Sequence, residues 1–332
     1  MRNFCPARLR KAAVLAIALS FATGAWGQPA WRPEKTVEFI VPTAAGGNSD
    51  KLTRLAQRIL QDRKLVTTPS VVLNRTGGNQ TLALVYTLQH PGDPHYVLFS
   101  NPAIFTNEFN GISSRRYTEL TPLALLVIEN TVLSVRAGSP IRNMADLAER
   151  LKADPDSVSF AMPARGGQPH LTAAAAVRAA GIDPRRMKVV VFKGSGESIS
   201  AVLGGHVDVM VSSSGSVLGL VQAGQARVLA VAAAQRMGGI LANAPTFREQ
   251  GINTTGIAAW RGFHGSQSLT PAQIAFWDEA LAKMTDAAEW KKNLEEGDLT
   301  QQFMRSREFA SYLDAEYAIT RAVMSDLGII KQ

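Results

Sequence analysis

TVEFIVPTAAGGNSDKLTRLAQRIL, residues 36–60, decides the fold. Residues 37–41 form an apolar run dense in β-branched side chains, the composition of a buried strand in a parallel sheet. Pro42 ends it, and Thr43, Ala44, Ala45, Gly46 and Gly47 make a loop with no side chain larger than threonine. Leu52, Leu55, Ala56, Ile59 and Leu60 then recur at helical spacing, with Asn48, Ser49 or Asp50 placed to cap that helix. Strand, small-residue loop and helix start leave backbone N–H groups converging on one spot, reinforced by the positive end of the helix dipole. The spacing predicts an anion site. Its glycines fit neither the dinucleotide fingerprint nor the phosphate loop, so the expected anion is a carboxylate rather than a nucleotide.

Upstream lies the pattern of an export signal. Arg2, Arg8, Arg10 and Lys11 give the positive end, residues 12–25 the apolar stretch, and Ala25-Trp26-Gly27 a small-x-small cleavage site. The apolar run is shorter than the roughly 20 residues a membrane span needs, and nothing later is long enough, so a soluble periplasmic protein is expected. The single cysteine, Cys5, falls inside the signal, leaving no thiol for a disulfide, a metal or a nucleophile downstream. Without the four signal cations, Lys plus Arg falls from 35 to 31 against 27 acidic residues, so the net charge is +4 rather than +8. The bases are scattered without aromatic platforms, which suits a small anionic ligand and not a nucleic acid.

Downstream of the helix over 49–63, strands over 71–74 and 95–99 flank a helix over 81–88, and the third strand ends in the polar residues Ser100 and Asn101. Strand-helix-strand alternation of this kind builds an α/β unit, with ligands beyond the C-terminal strand ends. Two apolar strands, 123–128 and 132–136, precede a second such unit. In it a helix capped by Asn143, a strand over 157–162, the loop Ala164, Arg165, Gly166, Gly167, Gln168 and a helix from His170 follow one another. Strands over 188–192, 207–211 and 228–232 come next, then an apolar stretch over 257–263 and two closing helices, 271–289 and 307–327. The fold expected is α/β, two lobes with mixed, mostly parallel sheets. The signal takes 1–27, one lobe 28–130 plus 257–332, and the other 131–256. Two crossings, near 130 and 256, would act as hinges around a ligand cleft.

Arg165, beside two glycines, is either a solvated arginine or a bidentate carboxylate clamp. His170 reads as a helix-capping histidine or a ligand contact, and Lys193 as a solvent-directed or a cleft residue. Trp260 and Arg261 either pack the second hinge or touch the ligand. For catalysis, no G-x-S-x-G elbow occurs, and the five histidines form no H-E-x-x-H motif and no i,i+4 pair. No catalytic residue, metal or cofactor is expected, although carboxylates that meet only in space keep an enzyme as an alternative.

Several stretches together resemble one family: VPTAAGGNSD (41–50), NRTGG (74–78), HPGDPHY (90–96), FKGSGE (192–197), LGGHVDV (203–209), QAGQ (222–225), RVLAV (227–231), APTFREQG (244–251) and WRG (260–262). Their order and spacing are similar to those of the substrate-binding receptors of tripartite tricarboxylate transporters, the Bug family. The resemblance implies a periplasmic binding protein of the type II kind, a monomer that closes on a carboxylate and presents itself to membrane permease subunits or to a sensor kinase. It implies that residues 43–47 hold a carboxylate through backbone N–H groups, that Asp50 orients waters, and that residues 164–170 grip the other side. Arg165, Gln168, Pro169 and Ser212-Ser213-Ser214 depart from the family pattern where ligand identity would be set.

Overall fold

The computed structural model of the protein describes residues 31–43, 45–46, 48–162, 166–192, 195–296 and 299–330; the export signal expected at 1–27 lies outside them. From residue 33 onward the chain clusters as one compact unit. It holds two sheets. In the first, β1 (Val37–Val41) lies between β2 (Ser70–Asn74) and β3 (Tyr96–Ser100), parallel to both. The row continues through β10 (Ala259–Gly265) and β4 (Thr121–Glu129) to β11 (Thr300–Arg305), all antiparallel. In the second, β6 (Ser159–Met162) is parallel to β7 (Lys188–Val191) and β8 (Val209–Ser213), and β5 (Thr131–Arg136) is antiparallel to β8 and to β9 (Ala226–Ala232).

The architecture is therefore mixed α/β, as expected, but only part of each sheet is parallel. Every antiparallel pair includes a strand at a crossing: β4 leads into β5 through Asn130 alone, and β10 returns the chain to the first sheet.

The elements follow from local chemistry. Helix α1 (Asn48–Asp62) buries Leu52, Leu55, Ala56, Ile59 and Leu60 on the first sheet, beside Trp277 and Trp290. After α2 (Thr81–Leu88) comes α3 (Ala103–Phe109), which the sequence reading left out. Asn143 caps α4 (Met144–Ala153) by accepting from Asp146 N at 2.8 Å. In α5 (Gln168–Ala179) the run Ala173, Ala174, Ala175 and Ala176 is buried, so backbone and sheet approach closely. Next come α6 (Ser195–Leu203) and the short α7 (Leu218–Gln222). The helix expected over 271–289 is two helices, α8 (Pro271–Thr285) and α9 (Ala288–Glu296), separated at Asp286 and Ala287. Strand β11, which the sequence reading also omitted, precedes α10 (Ser306–Asp326).

One apolar core joins the sheets. Leu125 and Ile128 of β4, Leu133 and Val135 of β5, Leu171 of α5 and Phe309, Leu313 and Val323 of α10 belong to a single buried cluster. Helix α10 packs on β4 and also on α5, so it spans both sheets.

Candidate functional site

The loop after β1 is built around a carboxylate. Asp50 is 2% exposed. Its Oδ2 accepts from Gly46 N and Arg54 Nε, both at 2.9 Å. Its Oδ1 accepts from Asn74 Nδ2 at 2.9 Å, and the same amide also donates to the Thr43 carbonyl. Burial pushes the Asp50 carboxyl up, but the hydrogen bonds from Arg54, Gly46 and Asn74 outweigh it and hold the group at about 2. Gly46 takes φ +81°, the left-handed region a glycine enters freely. The Gly46 N–H is occupied by Asp50 and is not a free anion donor, and the Asp50 carboxylate braces the loop. Ala45 and Gly46 are exposed, while Ala44 and Gly47 lie outside the described residues. Thr43 Oγ1 is buried without a partner.

The strand ends converge on a groove of about 500 Å³ between the two sheets. From the first sheet it takes Asn79, Asn101, Ala103 and Thr106; from the second, Gly166, Gly167, Gln168 and Leu171. Its floor is the crossings themselves, Glu129, Ile257, Ala259 and Arg261. A smaller pocket of about 190 Å³ shares Glu129, Gln168 and Ala259 and adds Thr131, Ser198, Ser212 and Ser213. The C-terminal ends of β3, β6 and β8 thus face one another across the crossings, where ligands of open α/β sheets sit.

The floor carries one ion pair, Arg261 Nη2 to Glu129 Oε2 at 2.5 Å, joining β10 to β4. Arg261 Nε is buried and has no partner among the described residues. Asn101 Oδ1 accepts from Ala103 N, the first N–H of α3, at 3.0 Å and from Gln80 Nε2. Gln168 Nε2 lies within hydrogen-bonding reach of Thr131 Oγ1 at 2.8 Å and the Ile257 carbonyl at 2.5 Å, so one side chain holds both crossings.

Of the residues predicted from sequence, Asn101, Gly166, Gly167 and Gln168 line the groove. Others do not. Ser100 is fully buried, its Oγ 2.6 Å from His264 Nδ1. Trp260 is core, packed between Phe105 and Phe309. His170 is 4% exposed and its Nδ1 accepts from Gly166 N at 2.8 Å, so it fastens the second loop from below. Ala164, Arg165 and Lys193 lie outside the described residues.

Sequence reasoning missed Asn79, Thr106 and Glu129 as groove residues, and left Arg261 open between hinge packing and ligand contact. A signal existed for Arg261: strand alternation puts the neighbour of a core tryptophan on the opposite face. Among the described residues no group of three or more His, Cys, Asp or Glu is placed to hold a metal.

A family model described as tripartite tricarboxylate transporter family receptor matches residues 53–329. BugT of Bordetella pertussis is 27% identical over 246 residues, 73% of this chain and 74% of that protein. A TctC solute binding protein from Polaromonas superposes with a TM-score of 0.82 at 21% identity, over 89% of this chain and 99% of that one. An R. palustris protein with adipate superposes with a TM-score of 0.68 at 23% identity, over 90% and 99%. At these identities the solved structures speak for the fold: a periplasmic-binding-protein architecture of two mixed sheets.

Proposed function

We propose a function from one premise: the chain belongs to the tripartite tricarboxylate transporter receptor family. A receptor binds and releases a solute, so the enzyme alternative falls. The solute here is a small carboxylate, held in the groove between the sheets. The observation that carries this reading is the Arg261 guanidinium, on the groove floor with a buried Nε–H that has no partner. A carboxylate there would accept from Nε and compete with Glu129 for the rest of the fork. The Asn79 and Asn101 amides stand on one wall and the Gly166–Gly167 backbone on the other. One cation on the floor and polar walls on two sides suit a chain with a carboxylate at each end, the shape of the adipate found with a structural neighbour.

The segments 28–130 plus 257–332 and 131–256 serve as two lobes that draw together on the ligand, with the crossings as hinges. The closed form meets the permease subunits of a tripartite transporter. Export by the signal at 1–27 puts this in the periplasm, and the receptor acts as a monomer. Among the described residues no helix is long and apolar enough to cross a membrane.

A thermal-shift screen against mono-, di- and tricarboxylates, with neutral sugars as controls, tests the reading. A true ligand at 100 times its Kd adds about 2.7 kcal/mol of stability. Response to a dicarboxylate class alone supports it; response only to neutral compounds would end it.

A further inference from the structure

The chain passes between the sheets twice, and strand alternation gives each pass two faces. Glu129, Ala259 and Arg261 face the groove described above. Ile128, Asn130 and Ala258 face the other way, into a second cavity of about 480 Å³. Residues 232–238 after β9, Thr255, Gln301 and Gln302 of β11, and Tyr312 and Glu316 of α10 complete its wall. That volume is in the range of small-molecule sites.

Two polar groups in that wall are unspent. Glu316 is 6% exposed. Its one hydrogen bond among the described residues is a long one, accepted by Oε2 from Ala258 N at 3.3 Å. The Tyr312 hydroxyl, one helical turn away, is buried with no partner among the described residues. Burial pushes the Glu316 carboxyl up to about 7, and the Ala258 N–H offsets this only in part. Burial also raises the Tyr312 phenol, with the Glu316 charge adding to it. Among the described residues Arg236 is the other charged side chain on this wall, and Glu249 holds it at 2.8 and 3.0 Å. The crossings and β11 bring amides, a threonine and apolar groups. Among the described residues no cation pairs with Glu316.

We propose that this rear cavity is a second ligand site, for a small organic ammonium ion. Its N–H groups donate to the Glu316 carboxylate and the Tyr312 oxygen, and its hydrocarbon body lies against Ile128, Ala232 and Ala258. The site stands whether or not the groove takes a carboxylate. Because the cavity is walled by both crossings, an occupant touches the segments that hinge motion would displace.

Calorimetric titration of the full mature chain with benzylammonium tests this, with benzyl alcohol as the neutral isostere. Saturable binding at pH 8 is expected, with none for the alcohol. With the carboxyl titrating near 7, about a tenth is ionised at pH 6 and about nine-tenths at pH 8, so affinity should fall about ninefold on acidification. Glu316→Gln should abolish the response while its thermal melt stays cooperative, and Tyr312→Phe should weaken it severalfold. Wild-type protein that ignores millimolar benzylammonium, or a Glu316→Gln variant that still binds it, overturns the proposal. So does competition by a carboxylate that binds the groove at Arg261.

Discussion

Arg261 and Asp50 are the two charged residues on which the front of the molecule depends, and they differ in what they are free to do. Arg261 has a donor to spare, so Arg261→Met should weaken carboxylate binding by about 10- to 100-fold, in line with the ~1.5–3 kcal/mol of a charge-assisted contact. Titration calorimetry reads it, and unchanged affinity would remove Arg261 from the site. Asp50 has nothing to spare. Its folded-state carboxyl lies near 2 against an ordinary 3.8, so its contribution is fully present above about 4 and is lost as pH falls through 2. Asp50→Ala should cost about 1.5–3 kcal/mol at pH 7. The gap to wild type should narrow progressively below pH 4 in denaturant melts. Glu316 works in the opposite sense. Raised from 4.5 to about 7, it destabilises the fold increasingly as pH climbs through that window. Glu316→Gln should therefore be about 2–3 kcal/mol more stable than wild type at pH 8 and equal to it at pH 4. Type and spacing in the sequence located the Asp50 loop, but not which partner each of its donors would take, because that depends on Asn74 arriving from β2.

Among the elements, the strands and helices with strong periodicity were legible, and those that depend on tertiary pairing were not. Strand β11 reads TQQFMR, with two polar amides among its six residues, and becomes a strand because β4 offers an unpaired edge. Helix α3 is only seven residues long and follows Pro102, with the Asn101 side chain taking its first N–H, which no apolar stripe announces. The WRG stretch looked like a ligand motif, and its glycine has a packing reason. A Cβ at Gly262 would lie 2.6 Å from the Phe309 ring and 2.7 Å from the Ala124 carbonyl, so β10 and α10 approach only because it is absent. Gly262→Ala should cost about 1–3 kcal/mol, measured by chemical denaturation. A neutral result would mean that α10 shifts more easily than its burial suggests.

At the scale of the whole molecule, two chain crossings were foreseeable from the interrupted strand-helix rhythm, but the fastening across them was not. Gln168, foreseen as a ligand contact, ties Thr131 to Ile257, and so one crossing to the other. Gln168→Ala should leave the melting temperature within a few degrees while enlarging the ligand-free radius of gyration in small-angle scattering. An unchanged radius would show that the tie is redundant. The buried seam of Leu125, Ile128, Leu133, Leu171, Phe309 and Leu313 runs on through both sheets beneath the groove. Its calorimetric consequence is specific. A receptor whose halves separate fully when empty would bury that seam anew at every capture, with a large negative heat-capacity change. If the seam remains shut on capture, as it is in this structure, only the groove wall, roughly a few hundred Å², leaves water. At ~0.45 cal/mol/K per Å² of apolar surface, capture should register a heat-capacity change of only about −0.1 kcal/mol/K. The enthalpy of capture would then stay nearly constant with temperature, with affinity set by polar contacts rather than by the water shed.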